Sequence, residues 1–261
     1  MKPDRRPGGA ETLPVLNLVP NLLTIIGLCA GLTAIRFVLE GRADVAAALI
    51  VFAAVIDGLD GLVARRLRAT SSFGGELDSL SDFVCFGVAP GILLYHFALT
   101  GVPGLGWTFV LIFVISTCLR LARFNVARTG AEGAATPAAG KTPPARPHFV
   151  GVPAPAGAML ALLPVFVTEA GVADLRDAGL APAVYLALVG LAMVSRLPTL
   201  SPKALRIPRD RTRWALVGMA LLIGLMITRF WLLMAGLCLI YALTLVWACV
   251  AAYRGRRTRR G

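Results

Sequence analysis

The sequence predicts an all-α, polytopic integral membrane protein, and three observations carry that prediction. Of its 261 residues, 57% are hydrophobic and only 15% charged, and the mean hydropathy of +0.76 is far too high for a water-soluble domain. Apolar runs long enough to cross a bilayer recur along the whole chain. The Lys and Arg residues, which give a formal net charge of +12, collect in alternate connections and in the tails. That placement reads as membrane topology and attraction to anionic lipid, with no nucleic acid as partner.

Taken in order, residues 1–12 (MKPDRRPGGAET) are polar and rich in Pro and Gly, which predicts a disordered cytoplasmic tail. The apolar run behind it is too long for a signal-peptide core, so no cleaved leader is expected. A single transmembrane catalytic domain is expected over residues 13–253, followed by a basic cytoplasmic tail, 254–261, that reads RGRRTRRG from Arg254. Apolar segments fall at 17–39, 44–64, 79–99, 105–122, 149–168, 181–197, 213–229 and 231–252, which gives about eight transmembrane helices. Only a few residues around Arg229 and Phe230 separate the last two, so seven is the alternative count.

Loop charge supports eight, because cytoplasmic connections hold the excess of Lys and Arg. With the N-terminus inside, the second connection carries Arg65, Arg66 and Arg68, the fourth Arg120, Arg123, Arg128, Lys141 and Arg146, and the sixth Arg196 to Arg213. The odd connections are balanced, uncharged or net acidic. Both termini are then cytoplasmic. The fourth connection, over 126–147, is rich in Ala, Gly, Thr and Pro and is expected to be mobile. The stretch from Leu197 to Arg213, broken by Pro198, Pro202 and Pro208, is expected to lie along the interface as a basic strap.

The chain's chemistry concentrates between Asp57 and Asp82. Asp57 and Asp60 are three apart and Ala64 follows by four, so they share a helical face; Asp78 and Asp82 are four apart and share another. A single pair of acids at a helix end is most often a solvated terminus. Four carboxylates beside a hydrocarbon core repel one another and call for a cation among them. Oxygen-only donors favour a hard cation such as magnesium, manganese or calcium over zinc. Two carboxylates from each of two helices suit a two-metal clamp on a diphosphate, with Gly61, Ala64 and Gly74 admitting a bulky ligand and Arg65 near its phosphates. The five cysteines show neither CxxC spacing nor a Cys/His cluster and read as core residues.

The run Asp57-Gly58-Leu59-Asp60-Gly61, then Ala64-Arg65, Gly74, Asp78 and Asp82, resembles the signature of the CDP-alcohol phosphatidyltransferases. Four flanking stretches resemble the phosphatidylserine synthase branch of that family: PNLLTIIG from Pro20, RLARFN from Arg120, FVGVPAPAG from Phe149 and MVSRLPTLSPK from Met193. The resemblance implies a helical bundle that transfers the phosphatidyl group of CDP-diacylglycerol to L-serine. It implies two divalent ions, Mg2+ or Mn2+, held by Asp57, Asp60 and Asp78, with Asp82 contributing and serving as general base. It places Asn21, Thr24, Asp60, Gly61, Ala64, Arg65 and Gly74 around CDP-diacylglycerol. It further implies a homodimer and a bacterial inner membrane with the site on the cytoplasmic side.

Recognition of serine or of the lipid phosphate falls to Arg120, Arg123 and Asn125, for which ordinary positive-inside anchoring is the competing reading; Lys141 and Arg146 are weaker candidates. His96 and His148 read as interfacial residues, Trp107, Trp214, Trp231 and Trp247 as interfacial anchors, and Arg36 as a snorkelling side chain. Three rival readings stand beside serine transfer. One keeps the signature and changes the acceptor to glycerol phosphate, inositol phosphate or choline. A prenyltransferase would carry its acidic motifs in separate halves of the chain. A transporter or divalent-cation channel would need acids in the later spans, which from Phe149 onward hold almost none.

Overall fold

The computed structural model describes residues 18–67, 71–133, 149–195, 198–199 and 212–257. Helix α1 (Val19–Leu39) and α2 (Ala43–Leu67) form an antiparallel hairpin. Its turn is closed by Gly41 at φ +75°, a left-handed conformation that glycine adopts without strain. Arg36 pairs with Glu40 at 2.8 Å across one helical turn, well exposed at this end, as expected of a side chain reaching for the interface.

The third span starts earlier than its apolar run. Helix α3 (Ser72–Phe83) begins behind Ser71, whose hydroxyl accepts the Gly74 N–H at 3.0 Å and so satisfies one of the open donors of the first turn. Two π-helical turns interrupt the span, Val84–Val88 and Tyr95–Leu99, on either side of α4 (Ala89–Leu94). Pro90 lacks the N–H that an α-helical ladder requires, and in the turn before it Ala89 N–H bonds to Val84 O, five residues back. The extra residue absorbs the break without ending the helix.

Helix α5 (Pro103–Gly133) has 31 residues, about 46 Å at 1.5 Å per residue. It outruns a hydrocarbon core of about 30 Å and corrects the expectation of a mobile loop from residue 126. The backbone stays helical to Gly133 because the first proline comes at Pro137; the rest of the expected loop, and with it Lys141, Arg146 and His148, lies outside the described residues.

The segment expected at 149–168 is broken. A two-residue strand, β1 (Phe149–Val150), pairs antiparallel with β2 (Pro198–Thr199), the one piece of sheet among the described residues. Helices α6 (Ala154–Ala161) and α7 (Leu163–Glu169) follow, parted at Leu162. Pro164 cannot donate to Leu160 O, and the Tyr185 hydroxyl of α8 (Ala181–Val194) donates to that carbonyl instead, at 2.7 Å. Helices α9 (Thr212–Thr228) and α10 (Phe230–Arg257) are separate elements that part at Arg229.

Eight apolar helical segments thus stand where the sequence places them, if α6 and α7 are taken together, and five helices are long and apolar enough to cross a membrane. The tails at 1–12 and 258–261, and the basic strap apart from Pro198, Thr199 and the first turn of α9, lie outside the described residues. Trp231 is more than a lipid anchor: its ring stacks on Phe166 of α7 at 6.0 Å. The core is built largely from Ala, Leu, Val and Phe, most of them on α1 to α8, and small residues let backbones come close. At Gly31 an added Cβ would lie 2.5 Å from the Cys85 sulfur. That tight crossing presses α1 against the third span directly behind the acidic residues.

Candidate active site

Asp57 and Asp60 lie inside α2, on the inner side of a helix that runs on to Leu67, and Asp78 and Asp82 lie on the facing side of α3. One carboxylate oxygen from each of Asp57, Asp60 and Asp78 comes within 4.8 Å of the other two. Asp82 lines the same cleft, together with Thr24 and Ser81. Its free space of about 10 Å³ is on the scale of one water-sized or ion-sized occupant. The sequence expectation that two helices bring four acids together is therefore met by the geometry.

Helix α1 supplies the back wall. Thr24 Oγ1 lies 2.9 Å from Asp60 Oδ2 and 3.1 Å from Pro20 O, and Ser81 Oγ reaches Thr24 O at 3.4 Å. Asp60 is only 5% exposed, so its carboxylate is held in one orientation. Three buried or half-buried oxygen donors within 4.8 Å of one another, with no sulfur or imidazole in the set, fit a hard divalent cation. Asp57, Asp60 and Asp78 form a group able to hold a metal ion.

The other positions expected around a nucleotide are adjacent. The guanidinium of Arg65 lies 3.6 Å from where a Cβ on Gly61 would stand, and a Cβ on Gly74 would meet Asn21 Oδ1 at 2.7 Å and Ser71 Oγ at 3.0 Å. Gly74 thus lets α3 start against the first turns of α1. Ala64 lies half-buried one turn beyond Asp60 on α2.

The three residues expected to recognise the acceptor separate in the structure. Arg120, half-buried on α5, lies near Asp82 and near Tyr241 of α10. Its Nε is buried with no hydrogen-bond partner among the described residues, an arrangement that asks for an anion. Arg123 is exposed and donates to Val194 O at the end of α8, at 3.0 Å. Asn125 joins α5 to α3, accepting from Ser79 Oγ at 2.9 Å and donating to Glu76 at 3.4 Å. Tyr241 is absent from the sequence expectations, because nothing in an apolar run 159 residues beyond Asp82 marks it as a neighbour of the site.

A family model described as CDP-alcohol phosphatidyltransferase matches residues 17–194, α1 through α8. The chain belongs to the CDP-alcohol phosphatidyltransferase family. Among named relatives, a CDP-diacylglycerol--serine O-phosphatidyltransferase of Mycobacterium leprae is 48% identical over 145 residues, 55% of this chain and 45% of that protein. Proteins of the same name from Bacillus subtilis and Methanocaldococcus jannaschii are 36% and 33% identical, covering 57% and 68% of this chain and 76% and 71% of theirs. The chain spans about half the length of the mycobacterial relatives that it matches. Helices α9 and α10, and so Tyr241, lie beyond the matched part of the CDP-alcohol phosphatidyltransferase domain.

Proposed function

We propose that this protein is a phosphatidylserine synthase, which transfers the phosphatidyl group of CDP-diacylglycerol to the hydroxyl of L-serine and releases CMP. One observation favours an acceptor that carries an anion over choline: beside the acid assigned as base, the buried Nε of Arg120 has no partner among the described residues. Such an alcohol fills that seat with its anion and brings its hydroxyl toward Asp82. The choice of serine among anionic acceptors rests on the names of the relatives, which specify serine.

In this mechanism CDP-diacylglycerol reaches the site from the bilayer, with its cytidine over Gly61 and Ala64 and its phosphates beside Arg65. Asn21 and Gly74 keep the first turns of α1 and α3 close at that end. Asp57, Asp60 and Asp78 would hold the metal, two Mg2+ or Mn2+ ions with Asp82 contributing. When bound, those ions disperse charge on the phosphoryl oxygens and on the departing CMP. Asp82 takes the proton of the serine hydroxyl. The hydroxyl oxygen bonds to the phosphorus that carries diacylglycerol, and the bond from that phosphorus to CMP breaks. Asp82 is not one of the group of three but lines the same cleft beside them.

Loop charges and the resemblance support a bacterial inner membrane with both termini and the site on the cytoplasmic side, and a homodimeric assembly. The test is CMP release by purified protein with CDP-diacylglycerol and Mg2+ or Mn2+, with serine, glycerol 3-phosphate, inositol phosphate and choline added separately. Release that depends on serine and is lost in Asp82→Asn is the expected result. Release with a different acceptor alone would overturn the assignment of serine, and no release with any would overturn the transferase reading.

A further inference from the structure

A second, polar cavity lies far from the aspartates. It opens at the other end of the bundle, with a volume of about 440 Å³, and is lined by Gly41 and Asp44 of the α1–α2 turn, His96 and Phe97 of the second π-helical turn, and Glu169 and Arg176 around the end of α7. Asp44 and Asp57 are thirteen residues apart on one helix, about 20 Å along its axis. None of these lining residues belongs to the site described above, and that volume is within the range of small-ligand sites, about 300–1,000 Å³.

The wall is held in place. Arg176 bonds Glu169 Oε1 at 3.0 Å through one guanidinium nitrogen, lies over the Phe97 ring at 5.5 Å, and has its own N–H on Asp174 Oδ1 at 3.0 Å. The loop that carries it is tied back by Leu175 N–H on Thr168 Oγ1 at 3.1 Å and turns at Gly171, φ +72°. His96 uses Nδ1 toward Ile92 O at 3.1 Å, which leaves its other nitrogen for the cavity. The cavity's level is marked by Tyr95 and Trp107, whose rings meet edge to face at 5.3 Å; aromatic pairs of this kind sit at headgroup depth.

The lining combines opposite charges: two carboxylates, Asp44 and Glu169, and the Arg176 guanidinium with the His96 imidazole. The carboxylates and imidazole do not converge closely enough to form a metal-ligand group of the kind made by the aspartates. An anion alone would meet the carboxylates, and a cation alone would meet Arg176. We propose that this cavity binds a zwitterionic phospholipid headgroup, its ammonium on Asp44 and Glu169 and its phosphate on Arg176. The proposal is independent of which alcohol the aspartate site uses.

The test measures binding to the purified full-length protein in detergent by native mass spectrometry. The probes are short-chain phosphatidylethanolamine, short-chain phosphatidylglycerol, which lacks the ammonium, and free phosphoethanolamine, which lacks the lipid. The ethanolamine lipid is expected to bind roughly tenfold or more tighter than either of the others, and Asp44→Asn and Arg176→Gln are each expected to weaken it by roughly tenfold, the scale of removing one charge-assisted hydrogen bond. Asp44 makes none of the contacts that fix the loop, so Asp44→Asn remains decisive if Arg176→Gln loosens it; an unchanged melting temperature certifies the fold. Equal affinity for the two lipids, or wild-type affinity in Asp44→Asn, overturns the proposal. Free phosphoethanolamine binding as tightly as the lipid overturns the assignment to a lipid and points to a soluble zwitterion.

Discussion

Thr24 and Asp60, thirty-six residues apart in the chain, meet through a 2.9 Å hydrogen bond that fixes the most buried carboxylate of the cluster. Thr24→Val keeps the shape and removes the donor. A hydrogen bond to a charged group contributes about 1.5–3 kcal/mol, so the metal concentration for half-maximal CMP release should rise roughly tenfold or more in Thr24→Val. Thr24→Ser should stay close to wild type. A metal titration of the three proteins decides it, and an unchanged midpoint in Thr24→Val would remove Thr24 from the positioning of Asp60.

The proposed mechanism divides the acids by role. Asp57→Ala or Asp78→Ala breaks the group of three and should abolish metal-dependent binding of CDP-diacylglycerol. Asp82→Asn should leave that binding within a few-fold of wild type while turnover falls by about 100-fold to 10,000-fold, the usual worth of a general base. Equilibrium binding of the donor with and without metal, run beside turnover, separates the two behaviours.

Arg120 and Arg123 are three residues apart and have different neighbours. Arg123→Gln removes a bond to Val194 O at 3.0 Å and should lower the melting temperature with little change in the Michaelis constant for serine. Arg120→Gln should do the reverse, raising that constant by roughly tenfold or more, as expected when a charge-assisted hydrogen bond to the substrate is removed. Equal effects of both variants on serine, with neither affecting melting, would contradict this division.

Gly74→Ala should be poorly tolerated. The new methyl would stand 2.7 Å from Asn21 Oδ1 and 3.0 Å from the capping hydroxyl of Ser71, so the Asn21 side chain and the cap have to give way. The Michaelis constant for CDP-diacylglycerol should rise several-fold, by the loss of about 1 kcal/mol or more of cap and packing. Ser71→Ala, which removes the cap alone, should cost about 1 kcal/mol of stability with a smaller effect on the donor.

Tyr185→Phe tests how the broken fifth segment is held. It deletes the Tyr185 bond to Leu160 O, which keeps a backbone N–H partner at the end of α6, and should destabilise the protein by about 0.5–1.5 kcal/mol. Thermal melting in detergent reads the effect, and activity below the transition should be unchanged.

The apolar runs and the aspartate spacing were legible because both are local. Asp57 and Asp60, or Asp78 and Asp82, share a face by helical period alone, and the extent of a span follows from hydrophobicity. What the sequence withheld depends on partners distant in the chain. The break at Leu162 follows from Pro164, yet its tolerance comes from a hydroxyl on α8. The run of α5 to Gly133 was hidden because residues after Asn125 carry no apolar period. Arg120 and Arg123 carry the same charge on the same helix, and only α3, α8 and α10 tell them apart. Tyr241 gave no signal at all, since an aromatic residue in an apolar run is read as core or lipid-facing.

The close crossing of α1 over the third span at Gly31 and Cys85 also bears on how the molecule is made. Thr24, Asp57, Asp60, Asp78 and Asp82, with the wall that orders them, all lie within the first three spans. These leave the ribosome before α5 delivers Arg120 and well before α10 delivers Tyr241. A nascent chain therefore holds every acid of the cluster before Arg120, the cation that stands beside Asp82, has been made.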